Sequence, residues 1–497
     1  MKTSTAFLCA FISGILLCCA YPPFWLGFLA FTALVPMFYI VDFYKPLRVF
    51  LWAWFSGTVF LGISMCWLCR HQDVLWLIII PIVIIQAFFY ALPFVCMGYI
   101  RRIYPRAGLT VFPFAVAGIE WIRSFDQLAF PWMILGNSQT AYPWLIQFAD
   151  ITSAYGVSWW IAMVNVSVYL LIKKRSVKRW AILVTLFVAP LVYSQVVMQR
   201  SPDSGQEITV ALIQGNVFPE EKWADGKEEW NINLYRSMSI ESMAYNPDLI
   251  VWPETATPVY LVEIGSYRRM VQSLVDSIGV PVFTGLPAIN FDTGDTWNSS
   301  GLFLPGINQV ERYHKMHLVP FGEAIPFDNY FSSLKNLPLG QANWSRGTKI
   351  VLFESPEIPP FNVAICFESI FPDLIRKFII KGSQFIVVIT NDVWFGTFAS
   401  PIQHAMISAM RAIEFHRPVV RCANTGVSMV IDSYGKVKKM TRTNERTILV
   451  ETISPADTET IYLRFGNIFS LVSFFITLIS LMVCFIKRKK ISERLYV

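Results

Sequence analysis

Leu249-Ile-Val-Trp-Pro-Glu254 is an apolar run of strand length that ends in a carboxylate, and two later runs carry other reactive groups. Arg312-Tyr-His-Lys315 ends in an ammonium group, and Asn362-Val-Ala-Ile-Cys-Phe-Glu368 contains a thiol, Cys366. Apolar runs with no polar face are typical of strands that are covered on both sides. A carboxylate, an ammonium group and a thiol at the ends of three core strands can form a base, an oxyanion donor and a nucleophile. The three runs therefore predict cysteine chemistry at the strand ends of a buried sheet.

The three runs belong to a segment, Glu207 to about Val450, in which β-rich and helical stretches alternate. Strands are predicted at Ile208–Gln214, Leu249–Trp252, Val280–Thr284, Ser299–Leu304, Val310–Lys315, Asn362–Cys366, Phe385–Thr390 and Ser428–Asp432. Helices are predicted at Lys227–Ala244, Ser266–Ile278 and Gln403–His416. Strands interleaved with helices indicate sheets that are covered by helices.

The rest of the chain has the composition of a membrane protein. Of the 497 residues, 54% are hydrophobic and only 15% are charged, whereas soluble proteins average about 25% charged residues. Apolar stretches of span length predict about eight transmembrane helices. They are Ala6–Ala20, Trp25–Val41, Phe50–Leu68, Leu75–Met97, Leu109–Ile122, Val157–Ile172, Ala181–Val197 and Phe465–Ile486.

Basic residues mark one side of this set of spans. Lysine and arginine cluster at the N-terminus, in alternate connections and at the C-terminus, for example at Arg101, Lys173 and Lys487. The positive-inside rule then predicts that both termini are cytoplasmic and that Arg200–Arg464 is exported. The location of these charges also explains the net charge of +7, so no nucleic-acid partner is predicted.

Three domains follow from this topology. Residues 1–200 are predicted to form a transmembrane bundle of about seven spans, which retains its first span rather than losing it as a signal peptide. Residues 205–455 are predicted to form the exported domain, and residues 465–497 a last transmembrane helix with a basic cytoplasmic tail. The exported domain holds two of the nine cysteines, Cys366 and Cys422. A disulfide between them would consume the nucleophile, so we expect Cys366 to be a free thiol.

Glu254 is the candidate base for Cys366. A free thiol has a pKa of about 8.5 and is only slightly ionised at neutral pH, so it needs a proton acceptor. Pro253 fixes the backbone where the strand ends and removes a donor that an internal strand would need, which places Glu254 at an edge or rim. A capping carboxylate is the alternative role for Glu254.

Lys315 is the candidate oxyanion donor, together with a backbone N–H near Phe367. Losing one such donor typically costs about 3–4 kcal/mol of barrier. A solvated strand lysine is the alternative, but the apolar turn that follows Lys315 predicts burial and a carboxylate partner, either Glu254 or Glu323.

Other chemistries fit the sequence less well. His314 and His317 point to opposite faces of the predicted strand, so a shared metal ion is not predicted. The sequence contains no Gly-x-Ser-x-Gly elbow and no glycine-rich phosphate loop. Cysteine chemistry is therefore preferred to a serine hydrolase or a metalloenzyme.

An ordered set of short motifs resembles the nitrilase, or carbon–nitrogen hydrolase, superfamily. With spans before and after the domain, the chain is similar to the apolipoprotein N-acyltransferases of the bacterial inner membrane. The motifs are Gln214-Gly-Asn216, Lys222-Trp223, Trp252-Pro-Glu254, Trp297-Asn-Ser299, Tyr313-His-Lys-Met-His-Leu-Val-Pro-Phe-Gly-Glu323, Ser345-Arg-Gly347, Cys366-Phe-Glu368, Asn391-Asp-Val-Trp-Phe-Gly396, Gln403-His404, Arg417-Pro418, and, in the membrane part, Glu120-Trp-Ile-Arg123, Pro131-Trp132 and Gly136.

The resemblance implies a fold and a set of residue roles. The fold is an αββα sandwich joined to the transmembrane bundle. Glu254 is the general base, Lys315 the oxyanion stabiliser and Cys366 the nucleophile. Supporting roles fall to Glu323, Glu368 and Asn298, and substrate-binding roles to Trp223, Trp394 and Phe367. Phe367 stands where tyrosine is common in the family.

The resemblance also implies a reaction. Cys366 takes an acyl chain from a phospholipid as a thioester and passes it to the N-terminal amine of a diacylglyceryl-cysteine lipoprotein. No cofactor and no metal are expected. The enzyme is expected in the inner membrane, with its catalytic domain on the periplasmic side. A membrane-tethered amidase or nitrilase, in which water resolves the thioester, is the alternative.

Overall fold

The computed structural model describes residues 1–70, 79–200, 206–327, 342–396 and 399–495. For residues 70, 79, 394, 395 and 489–495 it describes the backbone. The chain divides into two compact units. One contains Met1–Cys69, Trp76–Gln199 and Arg464–Val497, as far as these ranges are described, and the other contains Arg200–Leu463.

The first unit is a bundle of apolar helices. They are α1 (Thr3–Ala20), α2 (Ala30–Ala33), α3 (Val35–Phe43), α4 (Pro46–Ser64), α5 (Ile79–Arg101), α6 (Ala107–Ile122), α7 (Ala149–Lys173), α8 (Val177–Met198) and the C-terminal helix (Ile468–Leu495). The C-terminal helix packs against α5, α6 and α7, although nearly 270 residues separate it from α8. The two ends of the chain therefore build one unit.

Six helices of the described residues are long and apolar enough to cross a membrane: α1, α4, α5, α7, α8 and the C-terminal helix. The other two predicted spans are shorter helical stretches. The second predicted span, Trp25–Val41, is broken because Pro36 has no N–H that could bond to the Thr32 carbonyl. The helix therefore ends at Ala33, and a new one begins at Val35. The fifth, α6, has 16 residues and is about 24 Å long, less than the roughly 30 Å of a bilayer core.

The second unit contains two six-stranded sheets. The strands are β1 (Ile208–Gln214), β2 (Leu249–Val251), β3 (Val282–Ile289), β4 (Thr296–Leu304), β5 (Ile307–His314), β6 (Phe353–Ser355), β7 (Ile358–Ile365), β8 (Phe385–Thr390), β9 (Val419–Ala423), β10 (Met429–Ile431), β11 (Val437–Met440) and β12 (Thr447–Ile453). One sheet has the order β12-β1-β2-β3-β4-β5 and the other the order β11-β10-β9-β8-β7-β6. The central strands β1–β3 and β7–β9 are parallel.

Helices cover the outer face of each sheet, and the two inner faces pack on each other. The helices of this unit are α9 (Pro219–Lys222), α10 (Glu228–Ser242), α11 (Gly265–Ile278), α12 (Pro372–Ile380), α13 (Ser400–Phe415) and α14 (Ile461–Phe465). Apolar side chains of α10 and α11 form one core with the first sheet, and those of α12 and α13 form another with the second. Between the sheets, Phe283 packs edge-on against Phe353 and Phe361. The predicted αββα sandwich is therefore confirmed.

Candidate active site

Glu254, Lys315 and Cys366 lie at the carboxyl ends of three strands. Lys315 directly follows β5, Cys366 directly follows β7, and Glu254 comes three residues after β2. All three side chains are buried. Both Glu254 and Lys315 are close enough to Cys366 to change the pKa of its thiol. The structure thus brings together the three residues that the sequence predicts as a catalytic set.

Three donors hold the Glu254 carboxylate. Its Oε1 accepts hydrogen bonds from Asn298 Nδ2 at 2.7 Å and from Lys315 Nζ at 3.4 Å. Its Oε2 accepts one from the backbone N–H of Asn391 at 2.8 Å. Burial raises the pKa of Glu254, Lys315 opposes the rise, and the nearby Glu323 adds to it. A carboxylate with a raised pKa is suited to accept a proton near neutral pH.

The Lys315 ammonium group bridges two carboxylates. It donates to Glu323 Oε1 at 2.8 Å as well as to Glu254. Burial alone would lower the pKa of Lys315, but Glu323 and Glu254 raise it above its ordinary value. Lys315 was predicted as the last residue of a strand, and it is instead the first residue after β5, where its N–H still bonds to the Asn298 carbonyl at 2.9 Å. Lys315 is therefore a fixed positive charge beside Glu254.

Asn298 and Glu323 complete this group. The Asn298 amide donates to Glu254 and also to Glu323 Oε1, at 2.9 Å. Glu323 Oε2 accepts a hydrogen bond from the Val319 N–H at 2.9 Å. We call Glu254, Asn298, Lys315 and Glu323 the glutamate cluster. Its two carboxylates share the Lys315 ammonium group, so Lys315 neutralises only part of the negative charge of Glu254.

Cys366 begins a tight turn, the 3₁₀ segment Cys366–Ile370. Its φ of +52° is a sparsely populated conformation for a residue with a side chain, which typically costs about 1–3 kcal/mol and is found at functional sites. Burial and the Glu254 carboxylate raise the pKa of the Cys366 thiol, while Lys315 and a hydrogen bond with Thr390 lower it. The thiol therefore stays protonated until a base takes its proton.

Glu368 ties two of these strand ends together. Its Oε1 accepts hydrogen bonds from the Tyr313 hydroxyl at 2.7 Å and the Met316 N–H at 2.7 Å, on either side of Lys315. Its Oε2 accepts one from the Ile365 N–H at 2.9 Å, directly before Cys366. This fully buried carboxylate thus fixes the spacing between the lysine and the thiol.

Cys422 and Cys366 are both free thiols. Cys422 lies on β9, between the sheets, and its S–H donates to the Val251 carbonyl at 3.2 Å. Its sulfur packs in the core beside Val251, the last residue of β2.

The three residues predicted to bind substrate differ in exposure. Trp223 is 51% exposed. Phe367 is buried, and its ring packs edge-on against Phe371 with 5.1 Å between ring centroids. The side chain of Trp394 lies outside the described residues. Their roles in substrate binding stay predictions.

A second buried group contacts the backbone of Cys366, and the sequence reasoning gave it no role. His404 Nε2 lies 3.0 Å from the Cys366 carbonyl oxygen, and His404 Nδ1 lies 3.0 Å from Asp392 Oδ1. Arg421 Nη2 donates to Asp392 Oδ2 at 2.9 Å. Asp392 and His404 belong to the motifs Asn391–Gly396 and Gln403-His404, whereas Arg421 belongs to no motif identified in the sequence. Only the fold shows that they meet.

Lys222 is a second buried lysine near Glu254. Its Nζ donates to Thr255 Oγ1 at 3.3 Å, one residue beyond Glu254. Burial lowers the pKa of Lys222 to about 8, although Glu254 acts to raise it. The motif Lys222-Trp223 was its only sequence signal.

Comparisons with known proteins agree with this architecture. Residues 13–167 match the apolipoprotein N-acyltransferase N-terminal domain, and residues 209–462 match the carbon-nitrogen hydrolase family. An apolipoprotein N-acyltransferase of Chlorobaculum tepidum is 34% identical over 471 residues, which cover 87% of this chain and 88% of that protein. One of Geobacter metallireducens is 30% identical over 483 residues, which cover 93% and 92%. The chain therefore belongs to the apolipoprotein N-acyltransferase family, and it is an acyltransferase of the carbon–nitrogen hydrolase superfamily.

Proposed function

We propose that this enzyme transfers a fatty acyl chain from a phospholipid to the N-terminal amine of a diacylglyceryl-cysteine lipoprotein, through a thioester on Cys366. The observation that carries the proposal is the convergence of Glu254, Lys315 and Cys366 in a chain that also has six apolar helices of membrane-spanning length among its described residues. A lipid donor and a lipid-modified acceptor both reside in a membrane. A membrane-embedded enzyme suits them.

In the first half-reaction, Glu254 takes the proton of the Cys366 thiol and the thiolate attacks an ester carbonyl of the phospholipid. The carbon–sulfur bond forms as the carbonyl π electrons move to oxygen, and the Lys315 ammonium group stabilises this oxyanion. The oxyanion then collapses, the ester carbon–oxygen bond breaks, and the lysophospholipid leaves with the proton from Glu254.

In the second half-reaction, the amine of the acceptor attacks the thioester. Glu254 accepts the proton that the amine loses, the carbon–nitrogen bond forms, and the carbon–sulfur bond breaks. Cys366 leaves as a thiolate and takes this proton from Glu254, which returns both groups to their starting state. A thioester preserves acyl-transfer potential, so we expect the transfer to need no nucleotide and no other cofactor.

The membrane arrangement is part of the proposal. Residues 1–200 and 465–497 would form the membrane-spanning part, and residues 205–455 the catalytic domain. The alternation of basic residues supports an orientation with both termini in the cytoplasm and the catalytic domain in the periplasm, at the bacterial inner membrane.

Mass spectrometry of the reconstituted full-length protein tests the proposal. Mixing with a phospholipid should add one acyl mass to Cys366, and a lipopeptide with a diacylglyceryl-cysteine amine should remove it and become N-acylated. The Cys366→Ser variant should form no product, and continued acylation of the lipopeptide by it would refute the proposal. Release of free fatty acid at the same rate with and without the lipopeptide would instead support the amidase-like alternative, in which water resolves the thioester.

A further inference from the structure

The carbonyl oxygen of Cys366 accepts hydrogen bonds from two side chains. His404 Nε2 lies 3.0 Å from it, and Ser369 Oγ donates to it at 2.8 Å. A carbonyl can only accept, so His404 must carry its proton on Nε2 in this pair. His404 and Ser369 are buried, and they bind the backbone of the nucleophile rather than its sulfur.

The ring of His404 is held at its other nitrogen as well. Nδ1 lies 3.0 Å from Arg421 Nη2 and 3.0 Å from Asp392 Oδ1, and Arg421 also donates to Asp392. Burial and the Arg421 charge lower the pKa of His404, whereas Asp392 and the hydrogen bond to the Cys366 carbonyl act to raise it. We call Asp392, His404, Ser369 and Arg421 the anchoring cluster.

The hydrogen bonds to the Cys366 carbonyl fix the orientation of the whole peptide group between Cys366 and Phe367. In a planar trans peptide, the C=O of one residue and the N–H of the next point in opposite directions. The C=O of Cys366 and the N–H of Phe367 belong to one such peptide. Because Cys366 has a positive φ, its conformation needs support from its surroundings. Holding the carbonyl on His404 and Ser369 therefore sets the direction of the Phe367 N–H.

We propose that His404, Ser369 and Asp392 are positioning residues, which aim the Phe367 N–H at the oxyanion that forms when Cys366 attacks an acyl group. This inference rests on the proposed role of Cys366 as nucleophile. The oxyanion would then have two donors, the Phe367 N–H and the Lys315 ammonium group. His404 neither gains nor loses a proton in the step, because it acts through the peptide and not on the substrate.

The test compares two reactions of the same thiol in the purified full-length protein. Single-turnover acylation of Cys366 by p-nitrophenyl octanoate passes through an oxyanion, whereas alkylation by iodoacetamide does not. Removing an oxyanion donor typically slows a reaction by about 100- to 1000-fold, and misaiming one should cost less. We expect His404→Leu to slow acylation by about 10- to 100-fold and to leave alkylation within about twofold of the wild-type rate.

Companion variants make the result decisive. His404→Gln, whose amide can reach the position of Nε2, should restore most of the acylation rate. Ser369→Ala is a smaller change that should slow acylation by about fivefold. If His404→Leu does not fold, the ratio of acylation to alkylation in Ser369→Ala tests the inference by itself. His416→Gln is the matched control, a buried histidine that follows the other end of α13, and it should change neither rate.

Two results would overturn the inference. In one, acylation and alkylation fall together, which would mean that the cluster only places or ionises the thiol. In the other, acylation keeps its full rate in both His404→Leu and Ser369→Ala. Octanoyl loading is independent of the natural donor and acceptor. If the wild-type protein is acylated by p-nitrophenyl octanoate but does not transfer an acyl chain from phospholipid to lipopeptide, the proposed function is wrong. The inference about His404 and Ser369 would still hold.

Discussion

Glu254 and Asp392 are both buried carboxylates near Cys366, and their environments differ. Glu254 shares one ammonium group with Glu323, and burial raises its pKa. Asp392 has the guanidinium of Arg421 at 2.9 Å, and although burial opposes it, Arg421 and His404 hold the pKa of Asp392 at about 2. A carboxylate with a raised pKa can exchange a proton near neutral pH, whereas one with a pKa of about 2 stays charged. The number of cations beside each carboxylate therefore suits Glu254 to the proposed proton transfer and suits Asp392 to a lasting ion pair.

The largest effect should come from removing the proton acceptor. Glu254→Gln keeps the size and most hydrogen-bonding capacity of the side chain but cannot take a proton, so acylation of Cys366 should fall by about 1000-fold. Single-turnover mass spectrometry of the Cys366 adduct measures this rate. Glu311→Gln, which changes an exposed carboxylate on β5, is the control and should keep the wild-type rate. A Glu254→Gln variant that acylates normally would assign the base elsewhere.

Removing the cation of each cluster should separate activity from stability. Lys315→Met should slow acylation by about 100- to 1000-fold, because the oxyanion loses a donor. The stability of Lys315→Met should fall less than that of Arg421→Met, because Glu254 already has a raised pKa and can take a proton instead of remaining charged. Arg421→Met leaves Asp392 buried without its cation, which should destabilise the protein by about 3–5 kcal/mol.

Thermal unfolding in detergent, measured beside the acylation rate, checks this contrast. Lys315→Met should unfold at a higher temperature than Arg421→Met. If both variants lose the same stability and the same activity, the two clusters do not differ in the way that their pKa shifts indicate.

Two glycines should show the smallest effects. A Cβ on Gly426 would lie 2.1 Å from Asp392 Oδ2, and a Cβ on Gly285 would lie 2.6 Å from the Glu254 Cα. Each alanine substitution should therefore cost about 1–3 kcal/mol by overpacking. Gly285→Ala should also slow acylation, since it displaces the base. Gly62→Ala, with no atom within 4 Å of its Cβ, is the control, and an unchanged unfolding temperature in all three variants would contradict the close packing.

The candidate site residues at the strand ends could be predicted because each follows or ends a short apolar run, which is visible in the local sequence. The runs that end at Glu254 and Cys366 are apolar on both faces, as strands between two layers must be. The strands β6, β9, β11 and β12 were missed. The surface strand β11 contains two lysines among its four residues and has no apolar pattern to mark it, and the apolar run of β12 is only three residues long.

The anchoring cluster could not be predicted, since its members are linked only by the fold. His404 lies 38 residues after Cys366 on a helix, and Arg421 lies 29 residues after Asp392 on a strand. Arg421 is fully buried inside an apolar strand, a place where arginine is rarely found without a partner. An arginine within an apolar strand therefore indicates a buried acidic partner, but the sequence alone does not identify that partner as Asp392.

The pH dependence of Cys366 acylation tests the contrast between Glu254 and Asp392 most directly. The proposed reaction needs ionised Glu254, whose pKa is raised, so the rate should rise with pH through a limb above the ordinary glutamate value of about 4.3. Glu323 contributes to that rise, so Glu323→Gln should move the limb to lower pH while Glu311→Gln leaves it in place. A wild-type limb at or below the ordinary glutamate pKa, or one that Glu323→Gln does not move, would contradict the assignment of Glu254 as the residue that takes the proton.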